Sequence, residues 1–145
     1  MNPKFNWCFA MLLSLLFAGC FQTTTSSKTG PALEERVFVV NIADDDIKLK
    51  EYLQYHKQVW PEVEAGFKKA GYKKIVLYRY ANLLVMTITV PAGADLNSMG
   101  KIAEGYDPKC AEWNKLMSNY QVGVKGTKPG ETWVEATSFY SFINQ

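Results

Sequence analysis

The chain has 145 residues, 48% hydrophobic and 21% charged, and its 16 Lys and Arg against 14 Asp and Glu leave a net charge of +2. That length sets an expectation of one domain, the near-balanced charge without like-charge runs excludes a nucleic-acid binder working by electrostatics, and the apolar content excludes a disordered chain. The three Cys, at positions 8, 20 and 110, form no CxxC or zinc-finger set, so no metal site is expected from them. Aromatic residues reach 14%, an excess that needs a large core or a ligand surface.

Lys4 is the only charge before Lys28, and residues 7–19 are almost wholly apolar. The run is shorter than the roughly 20 residues that cross a bilayer. A basic start, a short apolar run and small residues at its end describe a secretory signal over residues 1–19. Its end, Leu16-Phe17-Ala18-Gly19-Cys20, resembles a bacterial lipobox, where cleavage before the Cys and lipidation of its thiol leave a membrane anchor. The other reading is a plain secretory signal or an uncleaved anchor, with Cys20 an ordinary thiol. Residues 20–34, polar and turn-forming, are expected to be a flexible tether, and residues 35–145 the domain. The expected location is outside the cytoplasm, on a periplasmic or surface face of a bacterial membrane, held through Cys20. Cys110 is then the only thiol of the domain and is expected to be a small buried hydrophobe.

Within the domain, residues 36–42 are β-branched and bounded by charge, which predicts a first strand. Asp44, Asp45 and Asp46 supply an N-cap and an acidic first turn for a helix through Lys57. Pro61 fits the first turn of a helical piece over residues 61–70, which Gly71 closes. Residues 72–80 and 83–90 read as two strands joined by Ala81-Asn82 in a tight hairpin. A loop over residues 91–97 precedes helix over 99–103 and 108–120, with Pro108 again in a first turn. Residues 122–131, rich in Gly, Lys and Pro, read as an exposed loop, and residues 133–143 as a last strand. The order β-α-β-β-α-β predicts an α+β, ferredoxin-like domain with helices on one face of an antiparallel sheet. The other face needs a cover, which predicts a homodimer in which two sheets form an α+β barrel.

On the first helix Leu49, Tyr52, Leu53 and His56 fall at i, i+3, i+4 and i+7, on one face. The only imidazole of the chain thus shares a side with a Tyr hydroxyl. A core-facing, merely hydrogen-bonded His is the other reading of this stripe. Directly after it stands Val59-Trp60-Pro61-Glu62, a rigid aromatic-acidic corner. Trp60 is a candidate pocket residue or a packing wedge, and Glu62 is expected to be a surface residue complementing the helix dipole. Tyr78 and Tyr80 share one strand face at period 2, and Tyr78 is a further candidate for the pocket lining.

Tyr52-(x)3-His56-(x)2-Val59-Trp60-Pro61-Glu62, then Asn82-Leu83-Leu84, Cys110-(x)2-Trp113 and Phe139-Tyr140, together resemble the L-rhamnose mutarotase family, from about residue 36 to residue 142. The resemblance implies a dimeric α+β barrel and a cofactor-free isomerase that interconverts the α and β anomers of a 6-deoxyhexose pyranose. It places the proton donor on His56, with Tyr52 and Trp113 contacting the substrate. The family's second Trp position holds Asn114, and a further substrate-binding Tyr position holds Ile75, so the pocket is expected to differ at those two contacts. The partners implied are a small sugar and a second copy of the chain, with no nucleic acid and no metal. A non-catalytic sugar-binding lipoprotein, or a dimeric-barrel enzyme of the monooxygenase type, remain alternatives that share the fold.

Overall fold

The computed structural model describes residues 30–144, so the expected signal over residues 1–19, Cys20 and the tether up to residue 29 lie outside the described residues. A ten-residue strand, β1 (Leu33–Ile42), organises the sheet. After it come α1 (Asp46–Tyr55), α2 (Pro61–Ala70), β2 (Lys74–Tyr80) and β3 (Leu83–Pro91), then α3 (Leu96–Glu104), α4 (Pro108–Ser118), β4 (Gln121–Val122) and β5 (Val134–Ala136). β1 pairs antiparallel with β3 along almost its whole length, from Leu33 opposite Pro91 to Asn41 opposite Leu83. Its other edge is shared by β4 near Ile42 and by β5 from Val37 to Val39. With β2 on the far side of β3, the order is β2-β3-β1-β4, every pairing antiparallel. This is the ferredoxin-like α+β arrangement expected from the element order, with each crossover helix split into two pieces.

The splits have local causes. Asp45 caps α1 by accepting from the amides of Ile47 and Lys48, and the helix ends at Tyr55, two residues before the expected Lys57. Pro61 and Pro108 stand at the first turns of α2 and α4, where a missing N–H costs nothing. Gly71 closes α2 at φ 97°, a left-handed conformation that glycine adopts without steric cost. α3 begins at Leu96 rather than at residue 99, because the Asp95 carboxylate accepts from the Asn97 amide and the Ser98 hydroxyl. The hairpin turn at Ala81-Asn82 holds as expected, with Ala81 at φ 50°.

Two boundaries differ from expectation at the sheet. β1 starts at Leu33, so the ladder with β3 takes Leu33 and Glu34 out of the expected tether of residues 20–34. The last strand, expected over residues 133–143, is reduced to Val134–Ala136. The Arg36 guanidinium closes on the Glu135 carboxylate at that point, and Thr137-Ser138 follow with no apolar residue to continue the pattern. Phe139, Tyr140, Phe142 and Ile143 beyond it are exposed.

Register separates the two faces of the sheet. Phe38 stands opposite Met86 and Val40 opposite Leu84, while Ile75 and Leu77 of β2 oppose Ile88 and Met86. These residues face the helices, where the core forms around Val40, Ile42, Tyr52, Leu84 and Trp113, with a second cluster at Ile88, Val90 and Met99. The opposite face carries Val37, Val39, Val76, Tyr78 and Val85, and none of these is among the buried residues. Cys110 is buried as expected, its thiol directed at the Glu62 carbonyl 3.4 Å away. Among the described residues no helix is long and apolar enough to cross a membrane.

α2 and α3 approach closely at Gly66, where an added Cβ would lie 2.7 Å from the Ala103 carbonyl oxygen and 3.3 Å from the Cys110 sulfur. Backbone cannot yield there as a flexible side chain would. Gly66→Ala is therefore expected to destabilise the domain by about 1–3 kcal/mol despite the better helix propensity of Ala, read as a lower urea midpoint at an unchanged m-value.

Candidate active site

The site starts at the C-terminal end of α1. Because the helix stops at Tyr55, His56 occupies the cap position, and its ring turns back along the last turn. His56 Nδ1 lies 2.9 Å from the Tyr52 carbonyl oxygen. A carbonyl only accepts, so in this contact Nδ1 carries the proton and the neutral ring presents Nε2 with a free lone pair. The His56 and Tyr52 rings also stack, with centroids 4.3 Å apart and planes 30° apart. Burial pushes the imidazole below its ordinary pKa, against the opposing pull of the Tyr52 carbonyl, so neutral imidazole is the form favoured at pH 7. The same burial pushes the Tyr52 hydroxyl upward.

α4 supplies the next wall. Trp113 stands edge-on to His56, centroids 5.4 Å apart and planes at 65°. Trp60 meets Trp113 in turn at 5.3 Å and 68°. Trp60 is therefore a buttress behind Trp113, not a wall of the pocket. Trp113 belongs to the buried core and lines the cavity as well, so the two readings of a large aromatic hold together here.

These groups open into a cavity of about 430 Å³ between the helices and the helix-facing side of the sheet. Tyr52, His56, Trp113, Asn114 and Ile75 all line it. The set expected from the sequence is thus brought together from α1, α4 and β2. Tyr78 is not: it lies on the opposite face of the sheet, 55% exposed. Its period-2 partner Tyr80 shares that face, as expected, but it is Ile75 and Leu77 that point toward the helices. The stripe on α1 also divides. Leu49 packs against the core, while Leu53 borders a separate groove beside Asp46 and Arg79.

Sequence reasoning misses the side of the cavity formed by β4 and the approach to β5. Gln121 pairs with Ile42 of β1 and its side-chain amide donates to the Tyr52 hydroxyl at 3.5 Å. Thr132 and Trp133 line the same cavity. Leu77 and Met86 complete an apolar floor with Ile75. A signal for Trp133 exists in its period-2 relation to Glu135, but Gln121 stands next to a Gly-rich loop with no pattern to mark it.

Among the described residues no Asp, Glu, Lys or Arg lines the cavity. It presents one imidazole, a phenol, two amides and two hydroxyls around aromatic and aliphatic surface, a lining that suits a neutral polyol with an apolar side. An anionic ligand meets no cation in that lining. Among the described residues there is also no cluster of three or more His, Cys, Asp or Glu able to hold a metal ion. A broader depression of about 570 Å³ on the outward side of α1, bordered by Glu51, Gln54 and Lys57, contains no imidazole and faces solvent. Glu62, expected at the surface, pairs with Lys109 at 2.5 Å and joins the starts of α2 and α4 outside the cavity.

The comparisons with known proteins agree with this geometry. An L-fucose mutarotase of Xanthomonas campestris pv. campestris is 32% identical over 113 residues, covering 76% of this chain and 89% of that protein. A UPF0734 protein of Dictyostelium discoideum is 28% identical over 97 residues, 65% of this chain and 78% of that one. In fold, the crystal structure of an L-rhamnose mutarotase from Formosa agariphila superposes with a TM-score of 0.51 at 18% identity, covering 77% of this chain and 99% of that one. A dimeric ferredoxin-like protein from an uncultured marine organism gives 0.50 at 11% identity, over 80% and 95% of the two chains. The family profile described as L-rhamnose mutarotase matches residues 36–142, which run from β1 through the whole cavity to the exposed C-terminal aromatics, and the chain belongs to that family.

Proposed function

We propose that the chain is an isomerase that interconverts the α and β anomers of a 6-deoxyhexose pyranose, L-rhamnose or L-fucose, with His56 moving the proton. The observation that carries this reading is the charge-free cavity in which a single imidazole, fixed through Nδ1, presents Nε2 beside a phenol and an indole. Anomers exchange by ring opening. The anomeric hydroxyl loses its proton as the bond between the anomeric carbon and the ring oxygen breaks, and the ring oxygen gains a proton. Rotation about the next carbon–carbon bond and reclosure give the other anomer. Both oxygens are attached to one carbon, so one imidazole can serve both: Nε2 accepts the hydroxyl proton, and the resulting imidazolium delivers it to the ring oxygen.

Tyr52 acts beside it as a donor. The Gln121 amide occupies an acceptor position on the Tyr52 oxygen, which leaves the phenol's own proton free for a sugar oxygen. Asn114 offers a further amide to a sugar hydroxyl, and the floor of Ile75, Leu77 and Met86 suits a methyl group in place of a hydroxymethyl. Positioned general acid-base catalysis supplies roughly 10²–10⁴-fold, enough for a reaction that already proceeds in water. The resemblance of 32% to an L-fucose mutarotase supports a 6-deoxy sugar and leaves both candidates for the test.

The same proposal extends to assembly and location. Val37, Val39, Val76, Tyr78 and Val85 form an apolar sheet face without helices, and a second copy packing the same face would bury it as an α+β barrel. The marine-organism protein of the same fold is itself dimeric, which supports this arrangement. The sequence before the domain supports export and anchoring through a lipid on Cys20.

Exchange NMR on L-rhamnose and L-fucose tests the chemistry: the wild-type chain is expected to accelerate α/β exchange, and His56→Ala to abolish the acceleration with an unchanged far-UV spectrum. Binding without acceleration would make the chain a sugar-binding protein instead. Since burial lowers the folded pKa of His56 below the ordinary value of about 6.5, exchange is expected to stay flat from neutral pH past that point and to fall only below it. The unfolded chain protonates first, so folded stability should also decline as pH drops below about 6.5, a slope that His56→Ala removes. Tyr78→Glu, placing charge on the outer sheet face, should convert a dimer into monomer by sedimentation. Mass spectrometry of the mature N-terminus should find a lipid-modified Cys20, and an unmodified thiol would remove the anchor.

A further inference from the structure

Trp133 is an aromatic side chain of the cavity with no part in the proposed proton transfer. β5 pairs Val134 with Val39 and Glu135 with Phe38. Alternation along an extended chain puts Trp133 on the side of Glu135, the face that carries Phe38, Val40 and the cavity. There Trp133 both lines the cavity and packs against the core cluster containing Trp113. The sheet order sets its distance from the aliphatic end. Ile75 and Leu77 enter from β2, Met86 from β3, and Trp133 from the β5 side of β1, three strand spacings of roughly 4.8 Å from β2.

The two indoles of the cavity are engaged differently. Trp113 is held ring against ring by His56, Tyr55 and Trp60, so its orientation serves the imidazole. Trp133 pairs with no other aromatic ring among the described residues. No aromatic ring among the described residues stacks on it, and it lines the cavity from the β5 side.

We propose that Trp133 is a substrate-stacking residue that sets affinity for the sugar: the C–H face of the pyranose rests on its indole, while the hydroxyl-bearing edges turn to Tyr52, His56 and Asn114. This rests on the proposed sugar isomerase reading and extends it to a residue on the approach to β5. The physical basis is the indole's flat apolar surface and electron-rich face, which meets the weakly positive hydrogens of a sugar's C–H groups and offers nothing to a hydroxyl. Trp133 touches neither reacting oxygen in this arrangement. It therefore acts on binding in ground and transition states alike, which is a KM effect.

The test uses the full-length chain. Trp133→Leu keeps an apolar side chain against the core and removes the aromatic face. It is expected to raise KM for α/β exchange about fivefold to tenfold with kcat within about twofold of wild type, the size of effect that one aromatic contact supplies. In a ¹⁵N-tryptophan sample, the Trp133 indole N–H signal, assigned by its disappearance in Trp133→Phe, is expected to shift on titration with L-rhamnose or L-fucose. An unchanged KM in a folded Trp133→Leu overturns the proposal. So does a Trp133 signal that stays still while the sugar saturates the wild-type chain, and that readout decides the matter if the Leu variant fails to fold. Should wild type bind sugar without accelerating exchange, the isomerase reading fails, while a shifted Trp133 signal still upholds the stacking contact.

Discussion

The bond from His56 Nδ1 to the Tyr52 carbonyl is the constraint on which the site depends. It lies at the end of α1, where the Tyr52 carbonyl already accepts from the His56 amide at 3.3 Å. The imidazole is a second donor to that oxygen, and in this position it selects its own tautomer and stacks on the Tyr52 ring four residues back. One short contact therefore couples a helix terminus to the group proposed to move the proton. The exposed carbonyl end of a helix favours a cation, yet burial here outweighs it and holds the imidazole below its ordinary pKa. The balance favours a neutral ring with a lone pair directed away from the helix, which is what a base for a hydroxyl proton needs.

The sheet turns that local arrangement into a cavity. β1 pairs on both sides, and its register assigns alternate residues to opposite tasks: Val40 and Ile42 build the core below the helices, while Val37 and Val39 are left on the outer face. A slip of one residue would exchange the two sets. The same alternation on β2 gives Ile75 and Leu77 to the cavity and Tyr78 to the outside. The floor of the site and the proposed dimer face are thus opposite sides of the same strands, and changes to one are only a strand thickness from the other.

Much of this is legible from residues alone, and the failures have specific causes. Pro61, Gly71 and Pro108 mark helix ends by backbone chemistry that tertiary structure does not override, and the observed limits of α2 and the start of α4 follow them. Tyr52 and His56 are legible as neighbours because helical spacing depends only on local geometry. Tyr78 is misplaced because period 2 says which residues share a face but not which face meets the helices. That depends on pairing with β3, a long-range property. The last strand is overextended for a similar reason: residues 133–143 alternate well enough, but a strand exists only where an edge accepts it, and the ladder ends at Ala136 opposite Val37. Gln121 and Trp133 escape notice because they flank a Gly- and Lys-rich segment whose composition marks a loop and carries no sign of what the loop's ends touch.

Trp113 and Trp60 show why core and site are hard to separate in so small a domain. A cavity of this kind needs a rigid wall, and rigidity comes from packing on the side away from the ligand. Trp60 provides that packing for Trp113, and Tyr55 and His56 hold two further edges. The aromatic excess in the sequence is therefore not divided between a core and a pocket. It is one cluster that passes through the wall, packed behind it at Trp60 and open to the cavity at Trp113. Removing Trp60 would act on the proposed chemistry without its touching a ligand, by letting Trp113 and then the imidazole shift. A loss of stability on such a change would come with a loss of function, because the same contacts support both.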